Sequence, residues 1–295
     1  MTELTPDCPV DAARIVGGAL LAPMSGVTDA GFRRAAARFG ATLVVSEMIA
    51  SDQLALGQAE AALRAEGQGI ATHVVQIAGC EPRWMAEGVR AAEAAGAAVI
   101  DINMGCPAKR VTNGWSGSAL MRDLDHACRL IEAAVGAAGV PVTLKTRLGW
   151  DHGSLNAPDL ARRAAQLGVR MVTIHGRTRQ QFYKGRADWR AVRTVREAIS
   201  VPLVVNGDID GCAGAHAAIG ASGADAVMVG RAAMGRPWLC GRIAAELRGV
   251  AWAEPSRREK AEAAVGHYEW LLGGMGREKG LRHARKHVAA YLDAA

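Results

Sequence analysis

Residues 101–110 read Asp-Ile-Asn-Met-Gly-Cys-Pro-Ala-Lys-Arg (DINMGCPAKR). With Ala98-Val99-Ile100 before them, they describe a buried strand that stops abruptly in a polar run, with one cysteine held between a glycine and a proline. The same plan, a short β-branched run ending in polar residues, recurs on both sides of this stretch. The strands expected are Ala19–Ala22, Thr42–Glu47, His73–Ile77, Ala98–Asn103, Val142–Arg147, Met171–His175, Pro202–Asn206 and Ala226–Gly230. Between them the spacing predicts helices over Asp29–Arg38, Pro82–Ala95, Asp123–Ala138, Ala157–Leu167, Trp189–Ile199 and Cys212–Ala221. Near-continuous apolar strands separated by helices imply a parallel sheet covered on its outer side. Eight such units fit a (β/α)8 TIM barrel of α/β class, with a doubly wound open sheet as the rival arrangement.

Composition agrees with one large domain and a small appendage. Of 295 residues half are hydrophobic, enough to bury a core, and aromatics are only 4%, so that core must be built from Ala, Val, Leu and Ile. After Trp238 the strand signals end, which sets residues 1–240 apart as the barrel and 241–295 as a helical appendage. Lys and Arg outnumber Asp and Glu by 35 to 29, a net charge of +6 that suits a polyanionic partner. The six cysteines are scattered, without a C-x-x-C pair or zinc spacing, so no metal is expected and a reducing, cytoplasmic setting is. The start MTELTPDCPVDAAR lacks the basic and apolar regions of a leader, and no apolar run of about 18 residues suggests a membrane span.

The polar strand ends carry the functional signal. They are Pro23-Met24-Ser25, Glu47, Gln76, Asn103 with Cys106, Lys145 with Arg147, His175-Gly176-Arg177, Asn206-Gly207-Asp208 and Gly230-Arg231. In a parallel barrel all of these lie on one rim, where the loops after the strands build the active site. Each has a plainer reading. Lys145 could reach solvent from an edge strand, Asn206-Gly207-Asp208 could be a capped turn, and His175 could be a satisfied core histidine. Gly230-Arg231 offers a close backbone approach, amides and a cation, the parts of a phosphate site after the last strand. Cys106, fixed by Gly105 and Pro107 at the mouth, is placed for chemistry. Neither G-x-G-x-x-G nor a P-loop is present.

Several ordered signatures then agree: APMSGVTDAGFRR, SEM, VVQIAG, DINMGCPAKRV with GSALMRD, LKTRLGWD, TIHGRTRQQFYKG, VVNGDI and GADAVMVGRAAMGRPWL. With these the chain resembles the tRNA-dihydrouridine synthases, flavin-dependent reductases of uridine in transfer RNA, and most of all their bacterial B-type branch. The match runs from about Leu21 to Leu239, with a weaker echo in RHARKHVAAYL. The resemblance implies FMN held by Pro23, Met24, Ser25, Gln76, Lys145, His175, Asn206, Gly207, Asp208, Gly230 and Arg231. It implies NADPH as electron donor, Cys106 as catalytic acid, and Asn103, Lys145 and Arg177 on the substrate side. A thiol suits the acid role because, unperturbed, it is mostly protonated at neutral pH. A nucleophilic Cys106 is the runner-up, and it predicts a stable adduct with uracil.

A base inside folded RNA must be extruded to enter a barrel mouth. Candidate phosphate contacts are Arg179, Lys184 and Arg186 in the long loop after the sixth strand, and Arg277, Lys279, Arg282, Arg285 and Lys286 in the tail. Within Met275–Val288 only Glu278 offsets those five tail cations. Two features depart from the family pattern: Ser25 stands where alanine is common, and the tail to Ala295 is shorter than the family's helical domain. A monomer is expected. The rivals are another FMN barrel reducing a small molecule such as dihydroorotate, and a non-enzymatic RNA-binding barrel.

Overall fold

A computed structural model describes residues 8–294; residues 1–7, where a leader was sought, and Ala295 lie outside it. The strands β1 (Ala19–Leu21), β2 (Val44–Val45), β3 (Ile49–Ala50), β4 (His73–Ala78), β5 (Val99–Met104), β6 (Val142–Arg147), β7 (Met171–His175), β8 (Leu203–Asn206) and β9 (Ala226–Val229) form one sheet. Every pairing is parallel, β9 returns to β1, and β2 pairs with both β1 and β4, so the sheet closes into a barrel. The open-sheet rival is excluded.

The second barrel position is occupied by two short strands rather than the continuous Thr42–Glu47 expected. Side-chain bonds interrupt the ladder there: the Ser46 hydroxyl donates to Glu47 O (2.9 Å) and accepts from Gln76 N (2.9 Å), while Glu47 turns inward. The helix expected over Trp189–Ile199 begins only at Arg193. Trp189 precedes it, with its indole N–H donating to Gly207 O (2.8 Å).

Period-two alternation sorts the strand residues into two cores. Ile100 and Ile102, Leu144, Val172 and Ile174, and Val205 point outward and pack with the surrounding helices. Leu20, Val45, Val74, Val99, Met171, Val204 and Ala226 point inward and meet Cys8, Val10 and Ile15, so the segment before β1 plugs the N-terminal end of the barrel. Two residues further along the same inward rows come Ala22, Glu47, Gln76, Asp101, Thr173, Asn206 and Met228. The lumen is therefore dry at one end and polar towards the other.

The helix Leu239–Leu247 buries Leu239, Cys240, Ile243 and Ala244 in the outer core, which Tyr291 of the tail also joins. The packing places the start of the helical appendage at Ser256. There a reciprocal capping box with Glu259 opens the helix Arg257–Met275, followed by Arg277–Asp293. No helix among the described residues is long and apolar enough to cross a membrane.

Candidate active site

The register aligns the inward residues at the C-terminal ends of the strands: Gln76 opposite Asp101, Asn103 opposite Lys145, Arg147 opposite His175 and His175 opposite Asn206. A chain of amides runs across the mouth. Asp101, 3% exposed, accepts from Gln76 Nε2 (2.6 Å) and Thr143 Oγ1 (2.6 Å). Gln76 Oε1 accepts from Asn103 Nδ2 (2.7 Å), and Asn103 Oδ1 accepts from the amides of Gly105 (3.1 Å) and Cys106 (2.9 Å). The order of the buried strands thus fixes the loop that carries the thiol. Cys106 O is held in turn by Ser118 N (3.1 Å) and Ser118 Oγ (2.9 Å).

On the other side of the mouth, Lys145 Nζ donates to Asn206 Oδ1 (3.1 Å), and Asn206 Nδ2 donates to Met228 O (2.8 Å). Burial pushes the Lys145 ammonium down to about 8, helped by Arg147 and opposed by Asp101 and Cys106, which places the sulfur within electrostatic reach. Burial and then the cations Arg147, Lys145, Arg177 and Arg231 hold His175 well below the usual imidazole range, so it is neutral at neutral pH. Gly207 has φ +115°, and a Cβ there would lie 2.8 Å from Ala187 Cβ and 3.3 Å from His175 Nε2, so only glycine fits beside the histidine.

Two of the expected ligand residues, Arg177 and Asp208, bond to each other. Arg177 is 2% exposed, and its guanidinium is committed to Asp208 (2.9 and 2.6 Å), Lys184 O (3.2 Å) and Gly185 O (2.6 Å). A buried group held in this way anchors its loop, with one Nη1 hydrogen left over. The Asp208 carboxylate bonds to Arg177 and accepts from Ala187 N (2.7 Å), and its backbone is left-handed at φ 54°. Among the RNA candidates, Lys184, Arg186, Arg277, Arg282 and Arg285 are exposed. Lys279 bridges Glu60 (2.8 Å), Arg179 is half-buried over Trp150 (4.7 Å), and Lys286 Nζ lies 3.2 Å from where a Cβ on Gly26 would sit.

Sequence reasoning missed Tyr183 altogether and underused Arg147. The Tyr183 ring lies under Arg147 (5.5 Å) and Arg231 (5.3 Å) and edge-on to His175 (6.5 Å). Arg147 donates to Gly105 O (2.8 Å), Thr178 O (3.0 Å) and Phe182 O (2.8 Å), tying the thiol loop to the loop after β7. Arg147 was legible as the second inward residue of LKTR. Tyr183 sits in a loop, where no period marks it.

The mouth fits an anionic, planar, hydrogen-bonding group. Among the described residues neither Lys145 nor Arg231 forms a salt bridge, and the Nδ1 atom of His175 is buried without a partner. Gly230 precedes the short 3-10 turn Arg231–Ala233, and a Cβ on Gly230 would meet nothing nearer than Met24 Sδ at 3.8 Å, so the backbone there is open to a ligand.

The family model for dihydrouridine synthase matches residues 20–295. A probable tRNA-dihydrouridine synthase of Rhizobium leguminosarum bv. phaseoli is 56% identical over 274 residues, 93% of this chain and 84% of that protein. tRNA-dihydrouridine synthase B of Xanthomonas campestris pv. campestris is 45% identical over 274 residues, 92% of this chain and 82% of that one. Among solved structures, a 2-naphthoyl-CoA reductase complex aligns with a TM-score of 0.59 at 12% identity, over 79% of this chain and 50% of that one. The old yellow enzyme homologue from Zymomonas mobilis aligns at 0.54 and 14%, over 84% and 92%. These two likenesses support the barrel fold.

Proposed function

Because the chain belongs to the dihydrouridine synthase family, we propose that it reduces the C5–C6 double bond of uridine in transfer RNA, with FMN bound and NADPH as transient electron donor. In this reading the flavin is held by Pro23, Met24, Ser25, Gln76, Lys145, His175, Asn206, Gly207, the Asp208 backbone, Gly230 and Arg231. When bound, the flavin supplies the hydride that is added at C6. Cys106 gives the proton that C5 requires, so that one hydride and one proton complete the saturated bond. As hydride arrives, negative charge spreads to the uracil carbonyl oxygen, and the desolvated ammonium of Lys145 is the fixed cation available to it. Asn103 keeps the sulfur in place through the Gly105 and Cys106 amides and retains one amide hydrogen for the base.

The observation that carries this reading is the convergence of the Cys106 loop, the unneutralised Lys145 and the neutral His175 on one mouth. The barrel spans residues up to Leu247 and the helical unit from Ser256 grips the RNA, presenting Arg277, Arg282 and Arg285 to phosphates. In this reading the protein works as a monomer in the cytoplasm, where its RNA is. The test is incubation of the purified protein with NADPH and unmodified tRNA. A yellow protein that NADPH bleaches, and a mass gain of two hydrogens at uridine, are expected. A colourless protein, or RNA of unchanged mass, would overturn the assignment.

A further inference from the structure

Beside the mouth, three rim loops are joined by alternating aromatic and guanidinium planes. Trp115, in the loop after β5, faces the Arg122 guanidinium at 5.2 Å; Arg122 lies 5.0 Å from the ring of Trp150, after β6; and Trp150 carries Arg179, after β7, at 4.7 Å. Arg179 Nη2 closes the set on Thr112 Oγ1 at 3.5 Å. Neither arginine forms a salt bridge among the described residues, so both guanidiniums are free to lie against ring faces. Its end is open: Trp115 is 54% exposed and sits at φ 55°, a left-handed backbone that a bulky residue adopts rarely and that tends to mark functional positions. Trp115 also borders a depression of about 470 Å³, room enough for a nucleobase. The three acids that line it are engaged, Asp123 with His126 N (2.9 Å), Asp125 with Arg163 (2.6 Å) and Asp159 with Arg162 (2.5 Å).

The ladder belongs to the same loop system as the thiol. Two residues after Trp115, Gly117 packs so closely on Cys106 that a Cβ would lie 2.9 Å from Cys106 O and 3.2 Å from Cys106 Cβ. A ring presented here stands beside whatever enters the mouth. Single-stranded nucleotides are held by exposed aromatics stacked on base faces with arginine behind them. We propose that Trp115 is a second base site: it stacks an unpaired nucleotide that flanks the extruded uridine, while Arg122 supports its other face. This deepens the RNA reading above and rests on it.

The test titrates labelled, unmodified tRNA into the flavin-loaded protein and follows anisotropy across a salt series. Trp115→Ala should weaken binding roughly tenfold or more, the range of one stacked base. Its salt slope should match the parent's, because no phosphate contact is lost. Trp115→Phe should recover most of the affinity but lack the quenching of indole emission that tRNA causes in the parent. Parent-like binding by Trp115→Ala, a reduced salt slope, or failure of Trp115→Phe to recover binding would each overturn the stacking site. A parent protein that binds tRNA no better than an unrelated polyanion would instead overturn the RNA reading itself.

Discussion

Lys145 shows how one residue's surroundings decide its use. Its ammonium sits among Arg147, Asn206 and the Cys106 loop with no carboxylate bonded to it, and burial brings it down to about 8. In the flavin-free protein the charge is present below that pH and lost above it. Affinity for FMN should therefore be full near pH 7 and decline as pH rises through about 8, read by flavin fluorescence quenching. Lys145→Arg should move the decline to higher pH, since a guanidinium stays charged; an unmoved limb would show that another group titrates. In the proposed reaction Cys106 faces the opposite demand, that of giving up a proton to carbon. Cys106→Ala should keep its flavin and its reduction by NADPH but lose about 10²–10⁴ in turnover on tRNA, the usual worth of a positioned acid. Turnover close to the parent's would remove the thiol from the mechanism.

Among the elements, the loop after β7 is the informative one. It is long and polar, yet Arg177 draws it inward with four hydrogen bonds, two of them to the Asp208 carboxylate that follows β8. Sequence reasoning placed Arg177 and Asp208 correctly on the rim and assigned them to ligands; their bond to each other was not legible there, since a strand-end arginine looks the same whether it meets substrate or a carboxylate. The strands themselves were readable because each is a short, near-continuous β-branched run ending in polar residues; only Thr42–Glu47 misled, where Ser46 and Glu47 substitute side-chain bonds for the ladder. Arg177 is buried and Asp208 partly exposed, so removing the arginine should cost about 2 kcal/mol, between the roughly 0–1 of an exposed pair and the roughly 3–5 of a buried one. Arg177→Ala should also open Arg179–Arg186 to trypsin, and adding Asp208→Asn should recover part of the stability. Unchanged melting and cleavage would show that the loop is held by other contacts, such as those of Arg147.

At the scale of the molecule, the question is what fastens the helical unit to the barrel. The sequence announced helices and basic charge after Trp238, but the seam is made by residues 238 positions apart, which no local pattern reveals. Asp29, the N-cap of Ala30–Arg38, lies buried against His267 Nε2 (3.0 Å), whose Nδ1 meets the Tyr291 hydroxyl (3.2 Å). Burial pushes the Asp29 carboxyl up, but His267, His287 and the Phe32 amide together hold it below the usual carboxylate value. His287 packs beside them, 2% exposed, with neither ring nitrogen hydrogen-bonded and Nε2 3.6 Å from Asp29 Oδ2, and burial, aided by His267, pushes it down to about 3. In the unfolded chain an imidazole titrates at about 6.5, so below that pH the unfolded state takes up a proton that the native seam refuses. Stability is thus complete above about 6.5 and falls as the pH drops towards 3, by about 1.4 kcal/mol per unit from His287, with His175, His73 and His283, each lowered first of all by burial, adding in the same direction. Urea unfolding at pH 7.5 and pH 5 should show this loss, and His287→Phe should reduce it by about 1.4 kcal/mol for each unit below about 6.5, because the phenyl ring keeps the packing against Phe32 and His267 without a titrating nitrogen. An equal loss in parent and variant would mean that His287 is already protonated in the folded seam, with Asp29 as its counter-charge.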